Sequence, residues 1–196
     1  MRIMKFTQRM ELFATRSGIA YGLMSLYYRM MVKKEVRLAG ITRDDRVLCI
    51  GGGHCPYTAI LIRKYTDARV TVIDNDCACI DRSKDFLYCM GLGDIEVRHC
   101  DGKHMCCRDY TVIHIAMQVT PKEAVLREMI GRAQCGARVL VRWPKAIVEG
   151  LYSGRAGGAQ SEQSVRHGLF SNVGNTSVHV VEKGKANIPR AGMVAV

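Results

Sequence analysis

The sequence predicts an α/β protein with a doubly wound, mostly parallel sheet and an N-terminal helical extension. Two observations support this prediction. From residue 46 onward, short apolar runs alternate with segments of helical periodicity, which is the element order of parallel α/β folds. A glycine-rich turn also joins the first apolar run to the first helical segment. Such a turn lets the backbone approach a ligand closely, because glycine has no Cβ.

The first 45 residues are expected to form a helical cap. Their apolar side chains recur at three- and four-residue spacings, which gives one apolar stripe on a helix. Gly18 and Gly22 interrupt the stripe and predict a break near them. Residues 32–38 then continue as a second helix, which Gly40 ends.

Five strands are predicted after this cap, with helices between them. The strands are expected at residues 47–50, 69–73, 95–98, 111–116 and 137–142, and the helices near 57–65, 80–90 and 120–131. The last helix has a clear start signal, with a hydroxyl at Thr120, proline at position 121 and glutamate at position 123. In a sheet of this kind, ligands bind at the carboxyl ends of the strands.

The C-terminal part is expected to complete an α/β domain that spans residues 46–182. Residues 153–161 are rich in Gly and Ser and are long enough to form a lid. Residues 176–182 alternate like a strand, which we expect to add antiparallel to the sheet edge. Residues 183–196 are predicted to be a mobile tail.

Two segments together predict a nucleoside-binding enzyme. The turn after the first strand consists of Gly51, Gly52 and Gly53, and the second strand ends at Asp74. A carboxylate in that position is where a nucleoside cofactor presents its ribose hydroxyls. The dinucleotide spacing Gly-x-Gly-x-x-Gly fails here, because Pro56 stands in the last position.

Residues 49–55 resemble the glycine motif of class I S-adenosylmethionine-dependent methyltransferases. The motif departs from that family at Cys49, where an acid is frequent, and at Cys55, where a third glycine is frequent. The resemblance implies a Rossmann-like methyltransferase fold and S-adenosyl-L-methionine as cofactor. It implies that Asp74 holds the ribose and that Asp101 lies beside the adenine. The full set of expected cofactor-binding residues is Gly51, Gly52, Gly53, His54, Asp74, Asn75, Asp101, Gly102, Ala116 and Met117.

A closer resemblance, to nicotianamine synthases, rests on Pro56 and Thr58 in the glycine turn and on residues 136–142 and 151–152. Those enzymes use the same cofactor but transfer its aminocarboxypropyl arm instead of its methyl group. We therefore expect a transferase, with methyl transfer to a small molecule as the leading reaction and aminocarboxypropyl transfer as the alternative. A third hypothesis is a basic RNA-associated protein that retains the fold without catalysis.

Few residues are expected to take part in the chemistry directly. The sulfonium of the cofactor is already a leaving group, so a base is needed only for a nucleophile that arrives protonated. His114 is the best candidate base, although strand alternation also fits a packed histidine. Tyr28 is a candidate to cover the methionine end of the cofactor. Gln118 would border the transferred group, and Arg142 could pair with a carboxylate.

A group of potential zinc ligands lies within nine residues, but we expect no metal site. The group consists of His99, Cys100, His104, Cys106 and Cys107. Its spacing matches none of the usual paired-ligand patterns, and Asp101 within it already has a proposed cofactor role.

Composition limits the partners and the compartment. Twenty-nine Lys and Arg against 18 Asp and Glu give a net charge of +11, and residues 1–46 hold ten of these cations against four acids. Nucleic-acid binding is thus an open alternative, but a solvated basic face is favoured. The odd number of cysteines, nine, fits reduced thiols in the cytoplasm. No membrane span is expected, and the oligomeric state is left open.

Overall fold

The computed structural model describes residues 18–145, 163–168 and 172–182 of the chain. The predicted lid at 153–161, the predicted tail at 183–196 and the first 17 residues of the predicted cap lie outside these ranges. The division into a cap, an α/β domain and a tail therefore stays a prediction.

A seven-stranded sheet forms the centre of the described structure. Its order is β3-β2-β1-β4-β5-β7-β6, in which β1 to β5 are parallel and β6 and β7 are antiparallel to their neighbours. The predicted doubly wound sheet is confirmed. The strands are β1 (Arg46–Ile50), β2 (Arg69–Asp74), β3 (Glu96–His99), β4 (Val112–Ile115), β5 (Arg138–Pro144), β6 (Gln163–Arg166) and β7 (Val173–Val180).

Four helices accompany the sheet in the described residues: α1 (Gly18–Ala39), α2 (Tyr57–Thr66), α3 (Cys77–Cys89) and α4 (Lys122–Arg132). The predicted break at Gly22 and the predicted second helix at 32–38 are wrong, because the described helix is continuous from Gly18 to Ala39. The residues before Gly18 lie outside the described ranges, so a break there stays a prediction. The predicted end at Gly40 is confirmed. Gly40 takes a φ of +57°, and the Ile41 amide donates to the Val36 carbonyl at 3.0 Å, which closes the last turn.

Helices cover both faces of the sheet, as the side chains of β1 illustrate. Val47 and Cys49 point into a core that includes Val32 of α1 together with residues of α2 and α3. Leu48 and Ile50 point into a second core with residues of α4. Because alternate residues of a strand face opposite sides, a strand buried on both faces must be apolar throughout. This explains why the strand segments are continuous apolar runs in the sequence.

Three details differ from the sequence prediction. The predicted hydroxyl cap of α4 is wrong, because the helix begins at Lys122 after a cis Thr120–Pro121 bond and has no side-chain cap. The outer strand β6 was not predicted, because its side chains are mostly exposed and give no apolar signal. The expected antiparallel strand is present as β7 and starts three residues earlier than predicted.

Within the described ranges, no helix combines the length and the apolar character that a membrane span requires. All nine cysteines lie in the described part of the chain, and none of them forms a disulfide.

Candidate functional site

The glycine turn after β1 is fixed by the end of β2. The amides of Gly51 and Gly52 donate to the Ile73 carbonyl at 2.9 and 3.3 Å. The Gly53 amide donates to Asp74 Oδ2 at 2.8 Å, and the Asp76 amide donates to Asp74 Oδ1 at 3.0 Å. A carboxylate offers about four acceptor positions, so each oxygen of Asp74 can accept one further hydrogen bond. Asp74 thus orders the turn and still presents acceptors to a ligand.

The turn has no space for side chains. A Cβ on Gly52 would lie 2.2 Å from Val72 Cγ1, and one on Gly51 would lie 2.7 Å from Val119 Cγ2. Both distances are far shorter than normal carbon contacts. Glycine is therefore required at these two positions, and the backbone itself forms the surface at the carboxyl ends of the strands.

Asp101 and Gly102, two of the predicted cofactor-binding residues, follow the neighbouring strand β3. The Cys100 amide donates to the Asp74 carbonyl at 3.0 Å, which brings the segment after β3 next to the turn after β2. Asp101 Oδ1 accepts from the Lys103 amide at 2.8 Å, and its side chain is partly exposed. Gly102 has a packing role as well, because a Cβ there would lie 2.9 Å from Ile50 Cγ2.

Two histidines near this edge contact cysteines at the start of α3. His54 Nδ1 lies 3.6 Å from Cys79 Sγ. His99 Nε2 lies 3.3 Å from Cys77 Sγ and 3.2 Å from the Asn75 carbonyl. Burial and the nearby charge of Arg82 lower the pKa of His54. At neutral pH, His54 therefore presents an uncharged ring beside the glycine turn.

An open pocket lies against the turn, on the side of β4 and β5. It brings together five of the predicted site residues, and it also reaches Gln118 and Arg142. The remaining predicted residues do not line this pocket. The five in the pocket are Tyr28, Gly51, Gly52, His114 and Ala116; those outside it are Gly53, His54, Asp74, Asn75, Asp101, Gly102 and Met117.

A buried ion pair lies beside this pocket. Glu35 of α1 accepts from Arg142 Nε at 2.8 Å and from Arg142 Nη2 at 2.7 Å, so the pair is bidentate. Glu35 is 1% exposed and Arg142 is 4% exposed. Burial by itself raises the pKa of Glu35, but the charge and hydrogen bonds of Arg142 outweigh it and hold this pKa well below its usual range. The pair is therefore ionised at neutral pH.

Three more side chains extend this ion pair into a network. Arg142 Nη1 donates to Thr58 Oγ1 of α2 at 3.0 Å, and Thr176 Oγ1 of β7 donates to Glu35 Oε1 at 2.7 Å. His167 Nε2 lies 2.8 Å from Thr176 Oγ1. Because the Thr176 hydroxyl donates to Glu35, His167 must donate to that hydroxyl. The network thus connects α1, α2, β5 and β7.

His114 is the histidine at the inner end of the pocket. It is 1% exposed, and its Nε2 lies 3.5 Å from Glu35 Oε2 without hydrogen-bond geometry. Within the described residues, this Nε2 has no hydrogen-bond partner. Burial and the charge of Arg142 lower the pKa of His114, so its ring is neutral at neutral pH. Burial also raises the pKa of the neighbouring Cys49 to about 12, which keeps that residue a neutral thiol.

Aromatic rings form the outer wall. Tyr28 of α1 stacks on Tyr57 of α2, with ring centroids 5.4 Å apart and planes 3° from parallel. The Arg142 guanidinium lies 5.6 Å from the centre of the Tyr28 ring. A cation at that distance is attracted by the ring face. The same arginine therefore contacts both the acid and an aromatic ring of α1.

The cysteine and histidine cluster is not arranged for a metal. Among the described residues, no three His, Cys, Asp or Glu side chains are placed to hold an ion. Cys107 is buried against α4, whereas Cys106 is exposed.

Sequence reasoning missed Glu35, and it expected Arg142 to pair with a carboxylate of a ligand and not with one of α1. The available signal was one acid within the apolar stripe of α1, where Val32 is buried and Val36 is partly buried. Thr58 was noted only as part of a turn motif, and Thr176 and His167 were not considered. These residues are far apart in the sequence, and only the fold brings them together.

Three comparisons place this chain among known proteins. No protein-family model matches it. The chain is 25% identical over 121 residues to an L-histidine 2-aminobutanoyltransferase of Yersinia pestis, which covers 61% of this chain and 45% of that protein. The enzyme of the same name from Pseudomonas aeruginosa strain UCBPP-PA14 is 28% identical over 124 residues, which covers 62% and 47%. The chain thus spans less than half the length of these relatives.

Solved structures share the fold. MtNAS in complex with MTA and tNA superimposes with a TM-score of 0.74 at 24% identity, over 91% of this chain and 70% of that one. An RNA methyltransferase from Salinibacter ruber, in complex with S-adenosyl-L-homocysteine, gives a TM-score of 0.63 at 15% identity, over 79% and 92%. The predicted Rossmann-like methyltransferase fold is therefore confirmed. Its similarity extends to MtNAS, a nicotianamine synthase, as the glycine turn predicted.

We expect Glu35→Gln to destabilise the protein by about 3–5 kcal/mol, because it leaves the buried Arg142 cation without a counter-ion. Urea unfolding measures this free energy. Glu96→Gln is the matched control, since Glu96 pairs with Arg98 in a half-exposed position and its loss should cost less than about 1 kcal/mol. Equal effects of the two substitutions would contradict the importance assigned to the buried pair.

A second prediction concerns pH. Burial lowers the pKa of His167 to about 4, below its ordinary value of 6.5. Between these values the unfolded chain binds more protons than the folded one. The contribution of the neutral His167 to the free energy of unfolding is therefore complete above pH 6.5 and is lost as the pH falls through 4. The difference in unfolding free energy between wild type and His167→Asn should therefore shrink over this range. A difference that stays constant from pH 7 to pH 4 would be inconsistent with a buried, neutral His167.

Proposed function

We propose that this protein is an S-adenosylmethionine-dependent transferase that moves the aminocarboxypropyl arm of the cofactor to an amine of a small molecule. The observation that carries the proposal is the glycine turn, whose backbone forms the ligand surface while Asp74 presents acceptors beside it. The choice of arm is supported by the relatives, which are named as 2-aminobutanoyltransferases. It reverses the order favoured by the sequence, in which methyl transfer came first.

The residues present fit the cofactor. A Cβ at Gly51 or Gly52 would collide with its neighbours, so the turn exposes backbone on which a nucleoside can lie. Asp74 has acceptor capacity for the two ribose hydroxyls, and Asp101 on the next strand end can accept from the adenine amino group. The pocket that begins at the turn then offers room for the amino-acid arm.

When bound, S-adenosylmethionine supplies a sulfonium, which makes each attached carbon open to attack by a nucleophile. The protein has to orient the acceptor and exclude water. Tyr28 and Tyr57 provide an apolar wall for this purpose. Arg142, which the sequence suggested as the partner of a ligand carboxylate, is paired with Glu35 instead.

His114 is the proposed base. Its ring is neutral and lines the pocket, so we propose that it accepts the proton of an incoming amine. Glu35 Oε2, at 3.5 Å, would stabilise the imidazolium that forms. The acceptor loses a proton to His114 as its nitrogen bonds to carbon and the carbon–sulfur bond breaks.

Methyl transfer is the second candidate function. It is favoured by the likeness to the Salinibacter ruber RNA methyltransferase, of which this chain covers 92%. The net charge of +11 is compatible with a nucleic-acid substrate for that reaction, or with RNA binding without catalysis.

The proposed compartment is the cytoplasm, because nine cysteines without a disulfide suit a reducing environment. The proposed partner is a small-molecule acceptor with an amine. L-Histidine, named for the relatives, is the first compound to test.

The by-product decides between the two reactions. We expect incubation with S-adenosylmethionine and L-histidine, or another small amine, to release methylthioadenosine, which chromatography separates from S-adenosylhomocysteine. Release of S-adenosylhomocysteine would instead establish methyl transfer. Salt-sensitive binding of RNA without either product would favour the non-catalytic alternative.

We expect Asp74→Ala to weaken the binding of S-adenosylmethionine by about 1–3 kcal/mol, because charge-assisted hydrogen bonds to the ribose are lost. Calorimetry measures the affinity. Asp81→Ala is the control, since this residue is exposed on α3, away from the glycine turn. If both variants bind as wild type does, the ribose site has been misplaced. Failure of the wild type to bind at high micromolar concentration would exclude the proposal itself.

A further inference from the structure

The side chain of Lys122 is buried completely at the start of α4. Its relative exposure is 0%, although an ammonium is costly to remove from water. Nζ donates to the carbonyl oxygens of Ala116 at 3.3 Å, of Met117 at short range and of Arg142 at 2.9 Å. An ammonium has three N–H donors, so these three acceptors match its full capacity.

The three carbonyls belong to two different strand ends. The β4–β5 ladder stops at the pair of Ile115 and Val141. Ala116 and Arg142 are the next residues on each strand, and both line the pocket. Lys122 therefore continues the connection between β4 and β5 beyond their last ladder pair, at the edge of the sheet where the pocket opens.

Two other hydrogen bonds of the described residues reach the turn after β4 from the direction of β1. The Ala116 amide donates to the Ile50 carbonyl at 3.0 Å, and Gln118 Nε2 donates to the Gly51 carbonyl at 3.4 Å. Both tie the turn to β1. Among the hydrogen bonds of the described residues, those of Lys122 connect this turn to β5. Without them, the side of the pocket toward Arg142 would lose its restraint.

Packing alone does not account for a lysine here. A methionine side chain has similar length and could fill the same space under Trp143, whose ring centre lies 5.8 Å from Nζ. Burial lowers the pKa of Lys122 to about 7, against the raising effect of Glu123. The ammonium is thus kept in an unfavourable environment, and what it adds over a methionine is its set of donors.

We propose that Lys122 is a positioning residue, which holds the turn at Ala116 and Met117 against the carbonyl of Arg142 and so fixes the side of the pocket where the transferred group binds. The identity of that group rests on the proposed function. The restraint of the turn does not, and it can be measured without any ligand.

The first test uses hydrogen–deuterium exchange of the unliganded protein. Lys122→Met keeps the volume and removes the donors, and Lys84→Met, on the exposed face of α3, is the control. We expect the amides of Ala116 and Val119, which are hydrogen-bonded to the carbonyls of Ile50 and Ala116, to exchange about tenfold faster in Lys122→Met, because loss of a charged hydrogen-bonding group changes a local equilibrium by at least this factor. Residues 71–74 of β2 should exchange at the wild-type rate.

The second test asks whether donors restore the site. Lys122→Ala leaves a cavity that methylammonium can enter, whereas tetramethylammonium offers no N–H group. We expect S-adenosylmethionine to bind about tenfold more weakly to Lys122→Ala, and methylammonium chloride to recover most of this loss. Tetramethylammonium chloride at equal concentration should recover none. A role in packing alone would not distinguish these two cations.

Different results would refute the positioning role of Lys122 and the proposed function. Unchanged exchange of the Ala116 and Val119 amides in Lys122→Met, or faster exchange throughout β2 as well, would overturn the positioning role whatever the ligand is. If exchange changes locally but wild type does not bind S-adenosylmethionine, the positioning role stands and the proposed function fails. If Lys122→Met does not fold, slow exchange of the Lys122 ammonium protons in wild type, seen by NMR, supports the restraint, and rapid exchange refutes it.

Discussion

The bidentate pair of Glu35 and Arg142 is the interaction on which the pocket depends. It fastens α1 to the centre of the sheet, and it does so with a geometry that two apolar side chains could not impose. The angle of α1 in turn places Tyr28 against Tyr57. Taking both charges out of water is expensive, and Thr58 and Thr176 reduce that cost by adding one hydrogen bond to each member of the pair. The N-terminal helix is thus part of the site and not an accessory to it.

The two ends of the site are built on different principles. At the glycine turn, the backbone is the proposed binding surface, and the side chains of Val72 and Val119 exclude any residue larger than glycine. At the other end, side chains from α1, α2, β4 and β5 converge on one pocket. The first arrangement suits a ligand part that is constant, whereas the second can vary between proteins that share the fold. This contrast fits an enzyme class with one cofactor and many acceptors.

Most of the sheet was predictable because β1 to β5 are apolar runs buried on both faces. The strand β6 was not, because its exposed residues carry no such pattern. For the site, Asp74 could be found from its place after a strand. Glu35 could not, because its partner lies 107 residues away in the sequence and only the tertiary fold reveals the pair. The start of α4 was misread for a related reason, since Lys122 is oriented by distant carbonyls and not by a local capping pattern.

Asp74 also restricts the conformation of the glycine turn. Its two oxygens hold the amides of Gly53 and Asp76. Because these bonds lie within the chain, folding itself restricts the conformational freedom of the turn. Binding to a surface that is ordered in advance avoids an entropic cost at the moment of association. On this basis, we expect the glycine turn to bind the nucleoside with little change of shape. Adaptation to different ligands should then occur in the pocket beside α1.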